Sequence, residues 1–349
     1  MRLPAQLHRS FRPPVQTRFG TVTAVQPGIC TVQVAGGEIP VIYLKGGAPN
    51  VGDQVIVQRQ GVVSYLLNPP GGALWVGDGN EAVWRVTTDG TGTQYTIYGW
   101  PITGVVEGPD KLIWACSSGG AIFAVTPFQP GLYPAEYPLS GSPSGVCVGP
   151  DNNLWVSDST GYVWKVATSG VAVSYPLTGS APLGICAGPD GNLWVADQNS
   201  QVWKVTTSGV GTAYSLALSE PLAVATGPDG NIWVSNTYPP LAGTLWRVTT
   251  GGTTTQFPLT GSFPSGICIG PDNNLWVSDT QSRVWRVTTS GSAVSFPLTG
   301  ASPSAICTGP DSNLWVADST GYAWKVTTQG TATSYPLSGS APSSICKGP

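Results

Sequence analysis

The chain has 349 residues, of which only 9% are charged, with 15 Lys/Arg against 18 Asp/Glu and a single His. So few charges cannot supply the basic stripe that nucleic-acid binding requires, and no run of about eighteen apolar residues exists to span a membrane. The stretch Met1 to Gln16 has no apolar h-region, so no secretory signal is expected.

The first eighteen residues carry Arg2, His8, Arg9, Arg12, Arg18 and the pair Pro13-Pro14, with too few apolar side chains to fold alone. Residues 1–18 are therefore either an extended arm that orders on a neighbouring subunit, with Arg2, Arg9, Arg12 and Arg18 as docking residues, or a frayed terminus. Charge is split along the chain: residues 1–68 hold six Lys/Arg and two Asp/Glu, and the remainder holds nine and sixteen. A basic leading piece on an acidic body hints at docking onto an acidic partner.

Residues 19–68 read as about five short alternating strands with Gly-rich turns, such as Phe19-Gly20-Thr21-Val22 and Asn50-Val51-Gly52-Asp53-Gln54-Val55. That pattern suits a small OB-like β-barrel. The segment resembles the OB-like domain of minor tail and baseplate proteins of long-tailed phages. This resemblance implies a virion (tail) localisation, and attachment to other tail or baseplate proteins through residues 1–68.

From residue 69 onward the chain repeats. A Trp sits inside an apolar strand at Trp75, Trp114, Trp155, Trp194, Trp233, Trp276 and Trp315, in steps of 39, 41, 39, 39, 43 and 39 residues. A period near forty with strand-like content marks a radial or solenoid array. In the fourth unit four strands can be placed: Leu183 to Ala187, Asn192 to Ala196, Gln201 to Val205, and one ending at Tyr214-Ser215-Leu216. A Gly-Pro-Asp-Gly/Asn turn joins the first two, with Pro fixing φ and Gly or Asn taking positive φ. Four short strands repeated seven times define an all-β, seven-bladed β-propeller over residues 69–349. The second Trp of each unit (Trp84, Trp164, Trp203, Trp246, Trp285, Trp324, with Phe123 as the counterpart in blade 2) should fill the gaps between blades.

The first unit lacks its first strand, and the sequence Ser343 to Pro349 is a first strand with its Gly-Pro. It should supply the innermost strand of blade 1, lock the ring and cover an edge that would otherwise invite aggregation. Five cysteines (Cys147, Cys186, Cys268, Cys307, Cys346) share one phase that Val106 and Ala225 occupy in the other two units. A position that accepts Cys, Val or Ala is a small buried apolar site, not a disulfide framework.

At Gly188-Pro189-Asp190-Gly191-Asn192-Leu193-Trp194-Val195 the repeat resembles that of the streptogramin B (virginiamycin B) lyase family of seven-bladed propellers, over Pro70 to Pro349. The resemblance implies a catalytic site of histidines and a glutamate near a bound metal at the channel mouth. The only histidine is His8, outside the propeller, and Glu81, Glu107, Glu136 and Glu220 stand singly. A general base working near neutral pH is most often His. No catalytic residue, metal or cofactor is therefore expected. The repeated Asp78, Asp158, Asp197, Asp279 and Asp318 fit Asx-turn positions better than calcium, which needs six or more converging oxygens.

Departures from the repeat remain as binding candidates. Trp100 stands where blade 3 has Ser180 and should be exposed. Glu107 ends an inner strand and should face the channel. Tyr238 lies in a four-residue insertion between the second and third strands of blade 5, on the same face as Trp100. Phe128 lies in a three-residue insertion of blade 2, on the opposite face. The leading expectation is a non-catalytic structural protein of a phage tail tip or baseplate, present in several copies per virion. Its propeller would contact a host-envelope glycan or protein, or another tail protein. A streptogramin-lyase-like enzyme and a cellular binding propeller are the alternatives.

Overall fold

The computed structural model describes residues 72–348, apart from 98–99, 127–133, 218 and 238–242, together with the backbone of five strands between residues 16 and 66. Met1–Gly71 and Gly72–Pro349 form two separate compact units.

In the first unit, β1 (Gln16–Gln26), β2 (Ile29–Val34), β3 (Gly37–Tyr43), β4 (Gln54–Gln60) and β5 (Val63–Leu66) form a closed barrel in the order β1-β2-β3-β5-β4. Only the β3–β5 pairing in it is parallel. The first strand is long because it pairs twice. Gln16 to Thr21 match Arg59 to Gln54 of β4, and Gly20 to Gln26 match Val34 to Ile29 of β2, with a bulge between Val22 and Ala24. Arg18, opposite Val57, therefore belongs to a strand and not to the leading arm. Arg2, Arg9 and Arg12 lie outside the described residues.

The second unit is all β: seven four-stranded antiparallel sheets. Blade 3 serves as the example, with strands Pro143–Val148, Leu154–Asp158, Tyr162–Val166 and Ala172–Pro176 running outward from the centre. The expected strands of blade 4 are found within a residue or so, at Pro182–Ala187, Leu193–Asp197, Gln201–Val205 and Gly211–Ser215. Asp197 closes the second strand instead of standing in the turn after it. In the Gly-Pro-Asp turns the fourth residue has positive φ, as expected, at Asn152, Gly191, Gly230 and Asn273. Lys111 and Ser312 take the same conformation at φ 65° and 58°, which L side chains tolerate as single residues.

Strand alternation puts the two aromatic stripes of a blade on opposite faces. In blade 3, Cys147, Trp155 and Lys165 lie in register on one face; Val146, Val156 and Trp164 lie on the other. The first face meets blade 4. Trp155, Val163, Cys147 and Tyr175 pack there against Ile185, Leu193, Val195, Val205 and Trp203, with Leu177 of the connecting loop between them. The second Trp of each blade thus fills the gap toward the preceding blade, as its spacing suggested.

A third aromatic stripe, on the outermost strands, was not singled out from the sequence. Tyr175 stacks on Trp155 at 5.8 Å, Tyr214 on Trp194 at 5.7 Å and Tyr335 on Trp315 at 5.5 Å. Each ring also reaches the next blade. Gly209, at φ 87°, lies so close to Tyr175 that any Cβ would overlap the ring.

Closure follows the expected route. Pro342–Lys347 pairs with Ala73–Asp78, with Ile345 opposite Val76 and Cys346 opposite Trp75. The Ser343 hydroxyl then donates to the carbonyl of Ile102 in blade 2 at 2.5 Å. Five of the seven outermost strands end on a proline (Pro138, Pro176, Pro258, Pro297 and Pro336), which cannot donate to a further strand.

Because Trp194 is fully buried between two blades, Trp194→Ala should cost about 3–5 kcal/mol of unfolding free energy. Urea denaturation followed by far-ultraviolet circular dichroism measures it.

Candidate functional site

The propeller offers two faces. The front face carries the loops that lead into the inner strands and the turns between second and third strands. Hydrogen bonds from Ser118 N to Pro101 O, from Ser159 N to Ser142 O and from Gln198 N to Ala181 O tie these loops together in successive blades. The back face carries the Gly-Pro-Asp turns and the turns between third and fourth strands.

Trp100 and Glu107 flank the two ends of one inner strand, Ile102–Glu107, and so lie on opposite faces. The structure does not bring them together. Glu107 forms an ion pair with Lys111 at 2.6 Å, one turn ahead, so its charge is matched locally. Trp100 is 55% exposed, and its indole lies flat on Gly119, where any Cβ would overlap the ring. Tyr238 and Phe128 lie outside the described residues.

The repeated aspartates are fully buried and do more than shape a turn. Asp158 Oδ1 accepts from the backbone N–H of Thr160 at 2.9 Å, its hydroxyl at 2.7 Å and the N–H of Ser142 at 2.9 Å. Its Oδ2 accepts from the Trp164 indole at 3.0 Å. The Asx turn is thus present, and the same carboxylate also fixes the incoming loop and the second Trp. Asp78, Asp197, Asp279 and Asp318 take the indoles of Trp84, Trp203, Trp285 and Trp324 in the same way. These oxygens are surrounded by donors, the opposite of a calcium shell. Where blade 2 has Phe123, which has no N–H, the aspartate is replaced by Ser117. Blade 5 breaks the match. Asn236 Oδ1 accepts from Glu220 N and its Nδ2 donates to Thr244 Oγ1 at 2.8 Å, which leaves the buried Trp246 indole N–H without an acceptor.

On the back face the charges are also consumed. Lys165 Nζ pairs with Asp151 Oδ2 at 2.8 Å, stands 5.7 Å from the centre of the Trp155 ring and donates to the Thr207 carbonyl of the next blade at 3.3 Å. Lys204 with Asp190, and Lys325 with Asp311, repeat the ion pair and the cation–π contact. Arg286 reaches across to the Thr328 carbonyl at 3.2 Å. The sequence carried a signal for this: the residue after the second Trp is basic at Arg85, Lys165, Lys204, Arg247, Arg286 and Lys325, and Ala124 only in blade 2. Burial pushes the Asp151 carboxyl up, but hydrogen bonds from Lys165, Trp155 and Asn153 outweigh it and hold the group below the usual carboxylate value. The same balance holds at Asp190 and Asp311, and at Asp229 and Asp272 without a lysine.

The shared-phase cysteines pack among the blade cores as small side chains, and none of the described cysteines is bonded to another. Burial pushes the Cys186 and Cys268 thiols up to about 12, which removes thiolate chemistry near neutral pH. Among the described residues no three His, Cys, Asp or Glu converge to hold a metal ion. The residues present thus do not fit the histidine–glutamate metal site that the lyase resemblance implies.

Fold and surface define a seven-bladed propeller of the streptogramin-lyase type whose inner charges serve the scaffold. Residues 19–239 and 219–349 match the Virginiamycin B lyase family, and the chain belongs to that family. Among solved structures it is similar to a catalytically inactive His-to-Ala variant of virginiamycin B lyase from Staphylococcus aureus with quinupristin. The two share 24% identity at a TM-score of 0.65, over 70% of this chain and 88% of that one. A streptogramin B lyase shares 22% identity at a TM-score of 0.66, over 78% and 91%. The WD40 β-propeller domain of Doa1 shares 14% at a TM-score of 0.62, over 71% and 86%. At these identities the likeness is one of fold. No curated protein matches the sequence.

Asn236→Asp restores the acceptor that Trp246 lacks and should stabilise the protein by about 1 kcal/mol, whereas Asp158→Ala strands several donors and should cost roughly 2–4 kcal/mol. Thermal denaturation of the two variants checks the pair. The lowered carboxyls of the Gly-Pro-Asp turns contribute stability that is fully present above the unfolded-state pKa of about 4 and is lost as pH falls through their lower folded values. Tm should therefore be flat from about pH 8 to 5 and drop below about pH 4, as scanning calorimetry across that range would show.

Proposed function

We propose that this chain is a non-catalytic binding and structural protein of a phage tail tip or baseplate. Residues 1–68 anchor it to other tail proteins, and the propeller presents its front face to the host surface or to a tail partner. The observation that carries the non-catalytic part is chemical: residues 69–349 contain no histidine, and Glu107 is matched by Lys111. The buried aspartates are committed to indoles and backbone N–H groups. What supports the tail assignment is the small closed barrel with strand order β1-β2-β3-β5-β4 ahead of the propeller, an order compatible with the OB-like reading of residues 19–68. A low-charge surface rich in Ser, Thr and Gly suits a virion protein. Localisation to the virion and the presence of several copies belong to this reading. Mass spectrometry and electron cryomicroscopy of purified particles test it: the chain is expected in the tail, and particles that lack it would end the proposal.

Family membership favours a second reading, a lyase that opens a cyclic depsipeptide. The discriminating assay is turnover of quinupristin in the presence of Mg²⁺, followed by mass spectrometry of the product. No ring opening above background is expected. Turnover by the wild-type chain would overturn the non-catalytic reading.

A further inference from the structure

In the loop that leads into an inner strand, the repeat places a serine that caps its own turn. The hydroxyl of Ser180 donates to Leu177 O at 2.6 Å, Ser219 to Leu216 O at 2.9 Å, Ser262 to Leu259 O at 2.6 Å and Ser340 to Leu337 O at 2.6 Å. The loop into blade 7 has the small, buried Ala301 at this position, and the loop into blade 2 has Trp100. It gives up that hydrogen bond and holds a large apolar ring more than half in solvent. A local rule broken without structural return is the mark of a functional position. The ring is also fixed in place. One indole face lies on Gly119, in a Gly119-Gly120 turn whose lack of a Cβ at Gly119 lets it approach. Its orientation is therefore set before any ligand arrives.

The described part of the rim is polar. Toward blade 3 it is built of hydroxyls: Ser142 Oγ donates to Ser118 O at 3.3 Å and Ser159 Oγ donates to Ser142 O at 3.3 Å. Asp158 beneath them is fully buried and saturated with donors. Toward blade 1 the neighbouring turn contributes Glu81, whose carbonyl accepts from Ile97 N at 2.8 Å. Of the other exposed aromatics of this face, Tyr162 and Tyr322 lie 6.5 and 6.4 Å from Trp164 and Trp324, as covers of the scaffold, and Phe263, 40% exposed, stands apart in the loop that leads into blade 6. Among the described residues, one rigid aromatic plane among hydroxyls is too small an apolar patch for a protein interface, which buries roughly 800 Å² per partner around an apolar core.

We propose that Trp100 is the stacking platform of a binding site for an uncharged glycan. One indole face rests on Gly119; the other meets the C–H face of a pyranose, and the hydroxyls of Ser118 and Ser142 exchange hydrogen bonds with the sugar. Ser118, Ser142, Ser159 and Glu81 offer no cation to select an acidic sugar. The inference rests on the reading of the propeller as a binding module.

The test uses the full-length protein and a panel of neutral oligosaccharides (cello-, malto-, chito- and galacto-oligosaccharides), followed by calorimetry and tryptophan fluorescence. At least one should bind saturably. Trp100→Ser, which restores the residue of the repeat, should keep the Tm and weaken that binding about tenfold or more, while Trp100→Tyr should retain most of it. The proposal is overturned if no member of the panel binds, if Trp100→Ser binds equally well, or if sialylated oligosaccharides bind as tightly as neutral ones. The presence of the chain in virions is read out independently, so the two proposals fail separately.

Discussion

No blade of this protein owns a core. The second strand of each sheet is buried along its whole length, as in Leu154–Asp158 and Leu193–Asp197, and its side chains alternate between two apolar faces. Each face can be covered only by a neighbour, so a blade stands as half of two interfaces. Trp155, Tyr175 and Cys147 on one side need Trp203, Ile185 and Val195 on the other. The ring must close for the last face to be covered, which is why Pro342–Lys347 is built into blade 1.

That constraint decides how polar groups are handled. A Trp placed between two sheets brings a buried indole N–H, which needs an acceptor. The second-strand aspartate supplies it in five blades, and it also fastens the loop that enters the inner strand. Ser117 with Phe123 shows the two positions changing together, and Asn236 with Trp246 shows the cost when only one does. Lysines and Gly-Pro-Asp turns do similar work on the back face, where an ammonium joins a turn of its own blade to one of the next. Among the described residues, these buried aspartates and back-face lysines are spent on the seams between blades.

Much of the fold was legible because its signals are periodic. The Trp interval, the Gly-Pro turns and the split first blade gave the blade count, the strand positions and the closure, and the shared phase of Cys147, Val106 and Ala225 marked a small buried site. What escaped were bonds between positions with different roles in the repeat: Tyr175 on Trp155, Lys165 with Asp151, Asp158 with Trp164. Single-residue patterns mark at most one member of such a pair, as the basic residue after the second Trp does; joint substitution across blades marks both, as Ser117 with Phe123 does. Trp100 was legible as an exception, but its fixed orientation depends on Gly119, which becomes a neighbour only once the second-to-third-strand turn folds beside the incoming loop.

The pairing of Ala73–Asp78 with Pro342–Lys347 also sets a schedule. The second strand of blade 1 leaves the ribosome about 270 residues ahead of its inner partner. At about 5–20 residues per second, that edge waits on the order of tens of seconds with its hydrogen-bonding groups and half of its apolar face uncovered. During this interval the growing arc presents near-identical blades, any of whose exposed faces resembles the proper partner of the next. The fidelity of assembly therefore rests on order of synthesis as much as on fit, and slower translation across the middle blades should raise the yield of mispaired chains.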